Sequence, residues 1–239
     1  MYSEGQRECD IARPGVLYLV STPIGNLRDI TLRALDVLGS ADLIAVEDTR
    51  VSAKLLRHYD INTPLTRYHD FNKERVTPAL IARLKKDASV AVICDAGTPG
   101  ISDPAFYLVR SAIGEDIPVQ AIPGATAFVA ALVLSGLPTD RFVFEGFLPA
   151  KKGRNKRLQN LSAEPRTCIL YESPHRIRRT LGDLFEALSD RRIVLARELT
   201  KKFEQVERGR ISELLSRLEV QPQRGEYVIV IEGCDPKSA

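Results

Sequence analysis

Ser21-Thr22-Pro23-Ile24-Gly25-Asn26-Leu27-Arg28-Asp29-Ile30-Thr31 is the stretch that decides the fold. It follows the compact apolar run Val16-Leu17-Tyr18-Leu19-Val20 and leads into a segment whose Leu32, Leu35 and Leu38 recur at helical spacing. A strand, a Pro-Ile-Gly turn and a capped helix are the opening unit of an α/β sheet. The carboxyl end of such a strand is where open α/β sheets place their ligands. Asn26 and Asp29 put polar side chains at that end.

Working outward, the same pattern repeats. Strands are expected at 16–20, 43–46, 90–94 and 119–122, and helices at 31–38, 52–58, 72–86, 105–113 and 126–134. Alternation of this kind predicts a mainly parallel sheet covered by helices. Val90-Ala91-Val92-Ile93 is apolar on both faces, as a buried parallel strand must be. The pattern breaks at Gly136-Leu137-Pro138-Thr139-Asp140-Arg141 and restarts at Phe142. Further strands are expected at 167–171, 193–196 and 227–231, with helices at 151–161, 174–188 and 211–218. In the middle one, Ile177, Leu181, Leu184, Phe185 and Leu188 mark an apolar face, with Ser173 as N-cap and Pro174 at the first helical position. The expectation is α/β, as two α/β lobes over residues 15–138 and 139–239, preceded by a mobile tail, 1–14, in which only Tyr2 and Ile11 can be buried.

Composition removes several classes of function. No apolar run approaches the roughly 18 residues of a membrane span, and the polar N-terminus has no apolar core of a secretory signal. Cys9, Cys94, Cys168 and Cys234 show no C-x-x-C spacing, and Cys94 and Cys168 sit in apolar strand patterns. That usage points to a reducing, cytoplasmic compartment and to no disulfide framework. His58, His69 and His175 are far apart and make no metal motif. No metal and no membrane partner are expected. The net charge of +3 is uneven: residues 1–138 hold 14 basic and 16 acidic side chains, and residues 139–239 hold 20 and 15. The first part is therefore at −2 and the second at +5, an asymmetry that points the second part toward a polyanion.

Neither a Gly-x-Gly-x-x-Gly after the first strand nor a Gly-Lys-Ser/Thr loop is present. Two other turns suit a nucleotide-like ligand. In Asp95-Ala96-Gly97-Thr98-Pro99-Gly100-Ile101-Ser102 the glycines open the backbone to close approach and Thr98 and Ser102 supply hydroxyls. In Pro123-Gly124-Ala125-Thr126 a strand gives way to a helix on small residues, leaving N–H groups for an anionic or polar oxygen.

Thr22-Pro23-Ile24-Gly25-Asn26-Leu27, Glu47-Asp48-Thr49-Arg50 and Asp95-Ala96-Gly97-Thr98-Pro99, in this order and spacing, resemble the tetrapyrrole-methylase-like family of S-adenosylmethionine-dependent methyltransferases. They are most similar to its branch that methylates a cytidine 2′-hydroxyl in small-subunit (16S) ribosomal RNA. The likeness runs from about Gly15 to Gly233. It implies S-adenosyl-L-methionine as cofactor, bent into the cleft between two lobes and held largely by backbone groups. It also implies small-subunit ribosomal RNA as partner, and a homodimer. On the residues that match, it implies cofactor contacts at Pro23, Gly97, Thr98, Ile101, Thr126, Ala127, Tyr171, Ala196 and Glu226. Thr98 stands where many relatives carry aspartate.

Transfer to a ribose hydroxyl is an in-line attack on a sulfonium methyl, aided by a base and by alignment. Asp48, Asp95, Glu172 and Glu198 are the carboxylates in question and His69 the imidazole; neither the residues nor the resemblance chooses among them. RNA contact is expected at Lys151, Lys152, Arg154, Lys156 and Arg157, five basic residues in seven, and at a second cluster that includes Arg176 and Arg179. Phe203 offers either a stacking face for a base or a core contact. Two other readings stay open: methylation of a tetrapyrrole or other small acceptor, and an RNA-binding protein that has lost its cofactor.

Overall fold

The computed structural model describes residues 11–219 and 224–234 of the 239. The chain divides into two compact units, Met1–Thr126 and Ala127–Ala239.

The first unit runs β1 (Leu17–Val20), α1 (Leu32–Ser40), β2 (Leu43–Val46), α2 (Thr49–His58), β3 (Leu65–Arg67), α3 (Lys73–Leu84), β4 (Val90–Ile93), α4 (Ala105–Ile113) and β5 (Val119–Ile122). All pairings are parallel, in the order β3-β2-β4-β1-β5. The apolar strands supply both faces. Tyr18, Val20, Ile44, Val46, Ala91 and Ile93 pack with α1 and α2 through Ala34, Val37, Leu38 and Leu56. Leu17, Leu43, Ala45, Val90 and Val92 pack the other way, against Leu80, Leu84, Leu108 and Ala112 of α3 and α4. The connections leaving β1 and β4 therefore cross opposite faces of the sheet, and these neighbouring strands form its switch point. Strand β3 was not expected: its three residues, Leu65-Thr66-Arg67, are half-buried or exposed on the sheet edge and lack an apolar run.

The second unit runs α5 (Ala127–Ser135), β6 (Phe142–Phe147), α6 (Arg154–Ser162), β7 (Thr167–Glu172), α7 (Ile177–Leu188), β8 (Arg192–Arg197), β9 (Gln205–Arg210), α8 (Ile211–Glu219) and β10 (Tyr227–Ile231). Its sheet, β6-β7-β10-β8-β9, is parallel only between β6 and β7. Leu158, Leu161, Leu181, Leu184, Leu188 and Leu214 of α6, α7 and α8 pack onto Cys168, Leu170, Ile193, Leu195 and Ile229. Cys94 and Cys168 act as small apolar residues; burial pushes both thiols up to about 12.

Several expectations need correction. The division between units falls at 126/127 rather than at 138/139. Helix α5 belongs to the second unit: its Phe128 stacks on Phe144 at 4.6 Å, and its C-terminal Leu134 and Ser135 carbonyls accept from Arg208. Residues 1–10 of the expected tail, Tyr2 and Cys9 included, lie outside the described residues. From Ala12 the chain is fixed, the Ala12 and Arg13 N–H groups donating to Ser40 Oγ and the Tyr18 hydroxyl; Ala12 packs on the core while Ile11 is 60% exposed. Helix α7 starts at Ile177, not Pro174, because the Ser173 carbonyl closes a turn by accepting from Arg176 and Ile177. Phe185 is exposed rather than core. Strand β9 reads Gln-Val-Glu-Arg-Gly-Arg, too polar to announce itself.

Candidate active site and cofactor loops

At the switch point the three loops leaving β1, β4 and β5 are tied together. Thr22 and Gly97 exchange both backbone bonds, at 2.8 and 3.1 Å, and the Thr22 hydroxyl donates to the Cys94 carbonyl at 3.2 Å. Thr98 Oγ1 donates to the Ala125 carbonyl at 3.2 Å and lies 3.0 Å from Ser21 Oγ and 2.7 Å from Thr126 Oγ1. A hydroxyl has one hydrogen and the Ala125 carbonyl can only accept, so Ser21 and Thr126 donate to Thr98 and keep their own lone pairs for other donors. Gly124 is required by close approach: a Cβ there would stand 2.8 Å from Ser21 Cβ. Gly97 and Gly100 have φ of +86° and +92°, which an L side chain rarely adopts. Asp103 holds the end of the loop, accepting from the Gly100 and Ala105 N–H groups.

Of the expected cofactor residues, Gly97, Thr98 and Thr126 thus come together through these bonds, with Pro23 next to Thr22 in the first loop and Ile101 following in the second, its N–H donating to the Thr98 carbonyl. The others lie in the second unit. Tyr171, Val228 and Ala196 occupy one row across β7, β10 and β8. The Tyr171 hydroxyl accepts from Phe128 N–H, next to Ala127, and its ring meets Phe144 and Phe147. Ala196 is 1% exposed. Glu226 is ion-paired with Lys201 at 3.2 Å, and its N–H donates to Glu198.

The carboxylates separate by environment. Asp48 caps α2, accepting from Arg50 N–H, and both its oxygens are taken by the Arg50 guanidinium, which holds it down at about 2. That makes it a weak base. Asp95 accepts the Asp48 N–H at 3.1 Å; burial, with the Asp48 charge, pushes it above the ordinary aspartate range. Glu47, at the end of β2, is raised by burial and then by the charges of Asp95, Asp103 and Asp70, so this crevice is electronegative. His69 follows β3, and its buried Nδ1 has no partner. Glu172 is structural, accepting from Ser173 N–H, Arg176 and Thr180. In Glu198 burial pushes the carboxyl up, but Lys201 and the Glu226 N–H outweigh it and hold it low.

The basic clusters divide as well. Lys151, Lys152 and Lys156 are exposed on and before α6, and Arg179 is 63% exposed, 3.8 Å from Asp183. Arg154 turns inward instead: it is 4% exposed and donates to Asp183, Thr180 and the Pro149 carbonyl. Arg176 is tied to buried Glu172 and the Leu148 carbonyl, and Arg157 pairs with Glu145 at 2.5 Å. Neither Arg154 nor Arg176 is a free phosphate contact. Phe203 is exposed, not core, with Lys202 5.6 Å from its ring centroid. A cavity of about 1040 Å³ opens elsewhere in the second unit, but no expected site residue lines it. Among the described residues no His, Cys, Asp and Glu grouping could hold a metal, and no helix is long and apolar enough to cross a membrane.

The Ser21 hydroxyl and the bare Phe71 are not among the residues expected from the sequence. Only a pairing of strand ends through the sheet order reveals the first. Phe71 carried a signal, an aromatic set among polar residues in His69-Asp70-Phe71-Asn72-Lys73.

A parallel sheet with a polar crevice at its switch point, followed by a mixed α/β unit, defines the class: an α/β protein of two units with glycine- and hydroxyl-rich loops at the strand ends of the first. The family model for Tetrapyrrole (Corrin/Porphyrin) Methylases matches residues 16–215, and the chain belongs to that family. It is 50% identical over 225 residues to the Ribosomal RNA small subunit methyltransferase I of Synechocystis, covering 93% of this chain and 81% of that protein. With its namesake in Haemophilus influenzae it shares 50% over 228 residues, covering 94% and 80%. Among solved structures, the cobalt precorrin-4 methyltransferase CbiF superposes with a TM-score of 0.69 at 17% identity, over 91% of this chain and 95% of that one. A uroporphyrin-III C-methyl transferase from Thermus thermophilus, complexed with S-adenyl homocysteine, gives 0.62 at 20%, over 90% and 96%. At such identities these two share the fold.

Proposed function

We propose that this chain transfers a methyl group from S-adenosyl-L-methionine to the 2′-hydroxyl of a cytidine in small-subunit (16S) ribosomal RNA. One observation carries the reading: half of the residues, along nearly the whole chain, are identical to those of a small-subunit ribosomal RNA methyltransferase. Tetrapyrrole methylation has weaker support, since the methylases of that kind share the fold at 17–20% identity.

The crevice suits this cofactor. Gly97 and Gly100 leave backbone open to approach, Ser21 and Thr126 keep acceptor lone pairs, and Glu47 and Asp95 lend a negative potential that favours a sulfonium. When bound, the cofactor supplies an electrophilic methyl on a positively charged sulfur. Pro23, Gly97, Thr98, Ile101, Thr126 and Ala127 would hold it, with Tyr171, Ala196 and Glu226 assigned by resemblance. Asp95 takes the proton from the ribose hydroxyl, because its raised carboxyl is the better base; Asp48 positions it through its N–H and does not itself take the proton. His69, with its unpartnered Nδ1, is the alternative acceptor.

Lys151, Lys152, Lys156 and Arg179 meet the RNA backbone. A homodimer is supported by the exposed apolar Val129, Val133 and Leu134 of α5. A cytoplasmic setting agrees with the free thiols of Cys94, Cys168 and Cys234.

Methyl transfer from labelled cofactor to small ribosomal subunits lacking the modification tests the reading, with naked RNA and tetrapyrrole precursors alongside. Label on a single cytidine ribose is expected. Label on a tetrapyrrole alone overturns the assignment.

A further inference from the structure

Phe71 is 98% exposed, the barest large apolar side chain among the described residues. It is nevertheless displayed by a fixed turn. Asn72, 8% exposed, accepts the His69 N–H at 2.8 Å and donates to the Arg67 carbonyl at 3.1 Å. The N–H groups of Asn72 and Lys73 return to the His69 carbonyl, each at 3.0 Å, and Asp70 is ion-paired with Lys73 at 2.8 Å. The His69 ring stands edge-on to Phe71 at 6.2 Å. A hydrophobic ring held out by a built turn presents a preorganised apolar face to water.

Its place in the fold says what that face meets. The turn follows β3, whose next residue, Tyr68, donates to the Val46 carbonyl at 2.7 Å, so it adjoins the Glu47–Arg50 loop at the carboxyl end of the sheet. The charges there are Glu47, Asp48, Asp70, Asp95 and Asp103 against Arg50, Arg67 and Lys73, with Asp48 paired to Arg50 and Asp70 to Lys73. With five acids against three bases, two of the bases already paired, the surface offers phosphate little attraction and tolerates a neutral nucleobase. We infer that Phe71 is a stacking platform for a base of the RNA substrate, at or beside the nucleotide whose ribose enters the crevice. The inference rests on the reading of RNA as substrate. Aromatic side chains hold unpaired bases in this way without needing a cation.

The chain contains no tryptophan, so Phe71→Trp introduces a single reporter. Its emission is expected to be quenched on adding small ribosomal subunits. Phe71→Ala and Phe71→Leu are both expected to raise KM for subunits on the order of 10- to 100-fold, leaving the Kd for S-adenosylmethionine unchanged. An unquenched tryptophan, or an alanine variant with wild-type KM, overturns the inference. A leucine variant that behaves as wild type also overturns it, since that describes an apolar contact with protein. Failure of the wild-type chain to methylate subunits at all is a different result, and it defeats the substrate reading instead.

Discussion

The single hydrogen of the Thr98 hydroxyl, committed to the Ala125 carbonyl, orients Ser21 and Thr126 toward it and fixes three loops in one geometry. Residue-scale chemistry at the neighbouring strand ends is set the other way, by burial first and then by repulsion between like charges. Burial and the charges of Asp95, Asp103 and Asp70 favour the protonated form of Glu47 in the folded chain. From the ordinary carboxyl range up through the raised value, the folded state binds more protons than the unfolded one, so stability falls as pH rises. Glu47→Gln should therefore raise Tm at neutral pH, and the gain should vanish once acid protonates Glu47 in both states, below about pH 4. Thermal melts across pH check this; a gain that persists undiminished in acid means packing, not charge, is responsible. The proposed role of Asp95 has the opposite slope, with activity rising as its raised carboxyl ionises.

At the scale of elements, what the sequence disclosed tracks burial. Strands β1, β2, β4 and β5 carry apolar side chains, packed on both faces in the first three, and their runs were legible. The edge strands β3 and β9 bury little and so carry no periodic signal. The three loop motifs were legible as ligand turns because glycine, proline and hydroxyl residues cluster at strand ends; the hydroxyl chain joining them depends on β4 lying beside β1, which only topology supplies. Charge was the least legible property. Arg154 reads as one of five basic residues in a row of seven, yet it pins α6 to α7 through Asp183 and Thr180. Truncating it leaves Thr180 without that donor and Asp183 with only Arg179, 3.8 Å away. Arg154→Ala should cost about 3 kcal/mol, the low end for a broken buried pair because Asp183 is partly in water. Denaturant unfolding measures that cost. RNA affinity of the folded variant should stay at the wild-type level, and a selective loss of RNA binding at full stability would return Arg154 to the interface.

For the whole molecule, the placement of the boundary at 126/127 leaves the charge division intact, since residues 127–138 contain no charged side chain. The first unit stays at −2 and the second at +5. Under the proposed reading, Phe71 of the negative unit meets a base and the exposed lysines of the positive unit meet the phosphodiester backbone. The two should then answer differently to salt. Phosphate contacts release counterions, and for single-stranded nucleic acid each contributes roughly 0.7 to the slope of log K against log salt. Replacing exposed Lys151, Lys152 and Lys156 by alanine should flatten that slope by about 2 and weaken binding uniformly across sequences. Phe71→Ala should weaken binding and leave the slope as it was, because a stacked base releases no counterion. Titrations of both variants over a range of salt decide the matter. An unchanged slope in the triple-lysine variant removes these lysines from the backbone contact. A slope that flattens in Phe71→Ala means the ring acts by placing phosphates, and the stacking role fails.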